Sequence, residues 1–358
     1  MRRNIQKKKR KKLIFIILIL LILIIACGGF VYFKINKNEN KSNEEVQTAS
    51  EPNEEKKAEE KKVEEKKINI YSGNDRPIAV MIDNVQGAFP QAGLNDAYMV
   101  YEIIVEGGQT RLMALFKGAD LELIGPVRSS RHYFLDYAME NDAIYTHYGW
   151  SPNAQSDIRK YGINNINGLV TSSGVFWRTN EKNAPHNAVI NTKNILKSAK
   201  SYGYRTESNE ESVLNYVTDE VLLENGQNAE TIEIPYSTSY KVTYKYDKKT
   251  GRYTRNTKNS VQKDWTTGKE VTTKNIIITF ASNYSLSDGT SKGRQDLNNI
   301  GTLDGYYITN GKAIKIKCEK KSRTEKTIYK DMEGNEIEVN DGNTYIQICP
   351  LKANVKIK

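Results

Sequence analysis

Twenty-one consecutive residues, LIFIILILLILIIACGGFVYF at positions 13–33, carry no charge, and that run constrains the chain more than any other feature. A stretch of this length and apolarity is about what a helix needs to cross the hydrocarbon core of a bilayer. Residues 1–12 ahead of it form a basic segment with eight Lys or Arg. Positive charge stays cytoplasmic, so everything beyond residue 33 is expected outside the cell membrane. Two readings of the anchor compete. Ile24-Ile25-Ala26-Cys27 fits a bacterial lipobox, whose cleavage leaves Cys27 lipidated at the new N-terminus. The apolar FVYF that follows Cys27 favours an uncleaved single span. Both readings give the same address, the extracytoplasmic face of the membrane.

Residues 34–67 form a charged linker, rich in Glu-Glu-Lys-Lys phasing and nearly devoid of apolar side chains, which cannot bury enough surface to offset its ordering entropy. It reads as a disordered tether. The formal net charge of +10 first suggests nucleic acid, but its location removes that reading. Residues 1–67 hold 17 basic against 10 acidic side chains, leaving 36 against 33 for the rest. The exported body is nearly neutral, and no nucleic-acid partner is expected.

Beyond the linker the texture predicts an α+β protein: an α/β-like N-terminal domain over 68–205, a connection over 206–230, and a mostly β C-terminal domain over 231–358. In the first, PIAVMIDN, AYMVYEIIVE, TRLMALFKG and AIYTHYG read as strands, and RHYFLDYAMEN as a helix with Ser129 and Ser130 as candidate N-caps. One short helix is expected near Val213–Val217. From Ile232 onward, YKVTYKY, NIIITFAS, GYYITNG, AIKIKCE and TYIQICP alternate with turn signals, the pattern of successive short strands. The spacing of Cys318 and Cys349, one in each of two such strands, leaves a disulfide open.

Polar residues that could carry chemistry gather in the first segment. Gly107-Gly108 predicts a hairpin. A two-residue turn sets Ile104 opposite Arg111, with Glu102 and Glu106 as its same-face diagonal neighbours, whereas a four-residue loop sets Glu106 opposite Arg111. Either register puts Arg111 beside a carboxylate. IGPVRSSRH then places Arg128, Ser129, Ser130 and Arg131 at a helix start, where free backbone N–H groups and hydroxyls favour an anion. The alternative is that Arg128 and Arg131 pair with Glu102, Glu106 or Asp136. Arg178, Asn187 and Trp150 are further ligand-binding candidates. His147 and His186 are candidates for proton transfer, with Glu102 or Glu106 orienting them. No zinc-type spacing, phosphate loop, dinucleotide fingerprint or nucleophile elbow is present, so no metal and no cofactor is expected.

At RPIAVMIDN, AFPQAGLNDAYMVYEIIVEGGQTRLMALF, GPVRSSR, THYGWS and APHN the sequence resembles the YerB-like family of Gram-positive envelope proteins. GYYITNGKAIKIK, EGNEI and NTYIQICP resemble that family's C-terminal domain. The resemblance covers most of residues 76–350. It implies an extracytoplasmic, often lipid-anchored protein of two domains, and it brings no settled activity.

Two functional expectations follow. The first is a tethered binding or scaffold module whose partners are peptidoglycan, an anionic wall polymer or envelope proteins. The alternative is an enzyme that acts on an anionic envelope glycan, phosphodiester or lipid-linked pyrophosphate through an arginine and histidine site. Convergence of the arginines and histidines on one open cleft favours the enzyme; separate satisfied pairs favour the module.

Overall fold

Long, continuously apolar strands need cover on both faces, and this chain supplies it from two directions. The structure, a computed structural model, describes residues 66–358 apart from 258, 259, 288 and 290. The expected anchor, Cys27 and the linker as far as residue 65 lie outside the described residues. The fold is mixed α/β with few helices and mostly sheet. Among the described residues, a twelve-stranded sheet dominates.

Its first strands are β1 (Ile78–Asp83), β2 (Met99–Ile104), β3 (Thr110–Phe116), β4 (Ile144–His147) and β5 (Asn165–Asn167). The 231–358 segment supplies a smaller sheet built on β6 (Thr231–Pro235), β7 (Lys241–Asp247) and β8 (Arg252–Thr257). It also adds β9 (Asn275–Ser285), β10 (Gly301–Thr309), β11 (Lys312–Lys320), β12 (Ile328–Lys330) and β13 (Thr344–Pro350) to the large sheet. The main path runs β12-β11-β10-β9-β13-β2-β3-β1-β4-β5. Strand β13 is central, parallel to β2 on one side and to β9 on the other. The two sequence segments therefore share one sheet. Three helices, α1 (His132–Glu140), α2 (Pro152–Lys160) and α3 (Thr192–Ser201), belong to the first segment.

Every residue of β1, β2 and β3 is buried, because the two faces are covered by different layers. Tyr101 on one face donates its hydroxyl to Glu140 of α1 at 2.8 Å. On the other face Tyr240, beside the small sheet, donates to Glu102 at 2.8 Å. Period-two geometry thus sorts neighbouring residues of one strand to opposite layers.

Several expectations are corrected. The hairpin between β2 and β3 closes through a three-residue 3-10 turn, Glu106–Gly108, with Val105 N–H bonded to the Gln109 carbonyl at 2.8 Å. Gly107 and Gly108 both take positive φ, 66° and 68°, which glycine adopts freely. Ile103 therefore stands opposite Arg111, a register that neither expected loop length gives. One residue of slip moves Glu102 to the face away from Arg111. The N-cap of α1 is Arg131, with no side-chain capping bond, in place of Ser129 or Ser130. In place of the expected helix near Val213–Val217, Tyr216–Val217 forms a short strand parallel to Val339–Asn340. Cys318 and Cys349 are buried free thiols on β11 and β13, with β9 and β10 between them. Burial pushes the Cys318 thiol up to about 12.

Candidate functional site

Strand β1 ends in Asp83, directly opposite Arg111 on β3, so both side chains lie on the helix side of the sheet. The segment IGPVRSSR runs over these strand ends: Val127 bridges Ile82, and Arg128 N–H donates to the Met81 carbonyl at 2.9 Å. That path explains the charge it carries. Arg111 Nη1 donates to the Ser129 carbonyl at 2.6 Å, and Arg128 Nε lies 2.9 Å from Asp83 Oδ2. The distance suits an ion pair, but the buried Nε–H is not aligned for a hydrogen bond with any partner. Asp83 Oδ2 also meets His186 Nδ1 at 2.7 Å. Gly87 lets the ring come this close, since a Cβ there would sit 2.9 Å from His186 Cδ2.

Arg131 is committed differently. It holds Glu106 by a two-pronged pair, with Nε at 2.5 Å and Nη2 at 2.9 Å. Arg111 Nη2 lies 3.6 Å from the same carboxylate. Burial works to raise the Glu106 pKa, but Arg131 and Arg111 outweigh it and hold the carboxyl below its ordinary range. Burial and then the like charge of Arg131 lower Arg111 to about 10, with Arg128 adding to the repulsion. Three guanidinium groups thus share two carboxylates. The corner is cationic by one charge before His186 is considered, which favours an added anion.

The other predicted residues part from this group. Glu102 is sealed on the opposite face, 2.7 Å from Arg255 of β8, and accepts from Thr110 at 2.7 Å. The network continues through Asn84, Gln91 and Gln262. It is an internal brace. His147 is buried, with Nδ1 2.7 Å from the Gly149 carbonyl and Nε2 3.1 Å from Asn165 Oδ1. These two acceptors favour the charged ring, but burial prevails and pushes its pKa down to about 4. A neutral, enclosed imidazole, which can donate to only one of the two acceptors, is poorly placed to exchange protons with a substrate.

Ser129 donates to the Tyr148 carbonyl at 2.9 Å, and Ser130 accepts from Tyr145 at 2.8 Å. Neither hydroxyl caps the helix. Arg178 is exposed, bonds Asn187 Oδ1 at 2.7 Å and lies 5.2 Å from the Tyr148 ring centre. Trp150 packs against His147, with ring centres 5.7 Å apart. Of the expected set, Arg111, Arg128, Arg131, Glu106 and His186 come together; Glu102, His147, Arg178, Asn187 and Trp150 belong to other surroundings. Asp83 was not in that set, although its place at the end of a buried strand is the signal that could have found it.

Ion pairs also join the two sequence segments elsewhere. Lys320 of β11 meets Glu140 of α1 at 2.6 Å, fully buried, and Arg323 meets both Asp136 and Asp157 at 2.7 Å. His132 lies 2.7 Å from Asp296. Among the described residues no group of three or more His, Cys, Asp or Glu side chains is assembled to hold a metal ion, and no helix is long and apolar enough to cross a membrane.

The chain is similar to known proteins along most of its length. Residues 64–205 match the N-terminal domain of the protein of unknown function DUF3048, and residues 232–346 match its C-terminal domain. The chain is 31% identical over 285 residues to "Putative lipoprotein YerB" of Bacillus subtilis (strain 168), covering 79% of this chain and 81% of that protein. The crystal structure of YerB protein from Bacillus subtilis superimposes with a TM-score of 0.69 at 30% identity, over 79% of this chain and 94% of that one.

Proposed function

The chain belongs to the DUF3048 family of proteins of unknown function, and on that premise we propose that it is a membrane-tethered extracytoplasmic binding module for an anionic component of the cell envelope. The basic segment and apolar run at the N-terminus support the address, as does the name of its Bacillus relative, "Putative lipoprotein YerB". The relative's name also supports lipidation at Cys27 over an uncleaved span. The ligand chemistry rests on one observation. Arg128 touches Asp83 without an aligned hydrogen bond, beside a surplus of positive charge that Arg111 and Arg131 create. A phosphodiester or carboxylate would give that guanidinium the in-plane acceptors it lacks.

The test is binding of the full-length chain, reconstituted in neutral vesicles, to soluble poly(glycerol phosphate) fragments. Saturable binding that weakens about tenfold in Arg128→Gln, and again at high salt, is expected. Binding unchanged in that variant, or none to the parent chain, contradicts the reading.

A second reading follows from the 2.7 Å contact between Asp83 and His186. In the tautomer that donates from Nδ1, the carboxylate orients the ring and leaves Nε2 as a base beside the cationic corner. Nε2 would then take a proton from water as its oxygen bonds to the phosphorus of a phosphodiester, with the ester oxygen leaving. Release of monoester products from the same polymer, lost in His186→Gln with binding retained, distinguishes this enzyme from the module.

A further inference from the structure

A second concavity, lined in part by Trp150 and by none of the corner's arginines, has a different chemistry. It has a volume of about 280 Å³, near the lower end of the range for small-molecule sites. Strand β5, helix α2 and the chain just beyond α3 enclose it. Trp150, Tyr202 and Tyr204 supply aromatic surface; Gln155, Arg159 and Asn167 supply polar groups. The Tyr202 hydroxyl lies 2.8 Å from Thr171 Oγ1, and that of Tyr204 donates to the Asn165 carbonyl at 3.3 Å, so both rings are held in place. Tyr202 remains 43% exposed and Val170, on the rim, 69% exposed, so apolar surface faces outward here.

Asn167 gives the independent observation. Its side chain is buried, and its Oδ1 accepts from Gly149 N–H at 2.9 Å and Leu169 N–H at 3.1 Å, which fixes the amide orientation. Its Nδ2 then has no acceptor. This donor is closed to solvent in the present conformation; left unpaired it costs about 1–3 kcal/mol, so a small shift of the wall that brings a ligand carbonyl to it is favoured.

We propose that this pocket binds an N-acetylated sugar of a glycan strand. A pyranose offers apolar C–H faces to tryptophan and tyrosine rings, which carry both apolar area and a polar edge. Its acetamido carbonyl matches the unsatisfied Asn167 donor, and Gln155 offers a second amide. Arg159, the one ionised side chain on the wall, faces open solvent and suits a ligand that is neutral or bears a single carboxylate. The volume admits about one ring, with the strand continuing past the exposed rim. This site is separate from the arginine corner and does not rest on it.

The experiment is calorimetric titration of the full-length chain, in neutral vesicles, with a soluble N-acetylglucosamine tetramer, a glucose tetramer and a proline-rich peptide. The expected result is saturable binding of the acetylated sugar, weakened about fivefold to tenfold in Tyr202→Ala, with far-UV circular dichroism and thermal unfolding checking that the variant folds. Asn167→Asp keeps the two accepted bonds and removes the donor. It should erase the preference for the acetylated over the plain sugar while far-UV circular dichroism stays unchanged. Arg128→Gln should bind the sugar as the parent does, so loss of the anion site and loss of this one are told apart. The proposal is overturned if the parent chain binds no acetylated sugar at millimolar concentration, if Tyr202→Ala binds it equally well, or if only the peptide binds.

Discussion

Adjacent residues of β1, β2 and β3 send their side chains to opposite faces, and two charge clusters, one on each face, treat charge in opposite ways. Toward the small sheet, Glu102 and Arg255 pair with both side chains at 0% exposure. Toward the helices, Asp83 is nearly as buried at 2%, but its partners Arg128 and His186 keep 25% and 24% exposure. A charge taken wholly out of water must be matched inside the protein, so the sealed pair is fixed by the fold and fixes it in return. A charge left partly in water can change partners. The first arrangement is a brace between the two sequence segments; the second is a site.

The largest expected effect lies in the sealed pair. Glu102→Ala strands the Arg255 charge and should cost about 3–5 kcal/mol in urea unfolding. Glu102→Gln combined with Arg255→Met should recover most of that loss, since no charge is then left buried. If the single change is nearly silent, the two clusters do not differ as described.

A second sealed group sharpens the comparison through pH. Burial holds His147 at about 4 in the folded chain, against an ordinary value of 6.5. Between those values the unfolded chain takes up a proton that the folded one refuses, so stability falls as pH drops through this window. The loss should approach about 3 kcal/mol at most. His147→Asn should flatten that part of the stability profile, as followed by thermal unfolding from pH 7 to 4. An equally steep profile in the variant would show that His147 is not the group responsible.

The open corner should behave inversely. Arg128→Gln is expected to change stability by less than about 1 kcal/mol while weakening phosphodiester binding about tenfold. Smallest of all is Arg178→Ala, whose exposed side chain bonds Asn187 apart from the corner. It should shift unfolding by no more than about 0.5 kcal/mol and leave polymer affinity within about twofold. A large loss of binding in this last variant would extend the site beyond the corner.

The strands were legible because long apolar runs and period-two alternation report burial directly, and β1, β3 and β13 fall within a residue or two of where the pattern puts them. What was not legible is how strands pair at a distance. The turn Glu106–Gly108 contains the expected glycines, but the sequence does not say whether it closes with two, three or four residues, and one residue decides which face Glu102 occupies. Its true partner, Arg255, comes from 153 positions later. Parity could have pointed to it. Arg255 shares its side of β8 with the buried Tyr253, and Lys320 shares its side of β11 with Ile316 and Cys318. The helix start was misplaced because Ser129 and Ser130 resemble caps, whereas their hydroxyls satisfy the Tyr148 carbonyl and the Tyr145 hydroxyl. The arginines of IGPVRSSRH were recognised as a group, and Asp83, the carboxylate that organises two of its neighbours, was not.

The anion-binding character of the open corner is tested most directly by crystals of the protein grown with selenate, whose anomalous signal locates the ion. The account predicts an ion within hydrogen-bond reach of the Arg128 guanidinium, beside Arg111 and His186, and its disappearance in Arg128→Gln. An ion found only elsewhere, or none at this corner under saturating selenate, would contradict it.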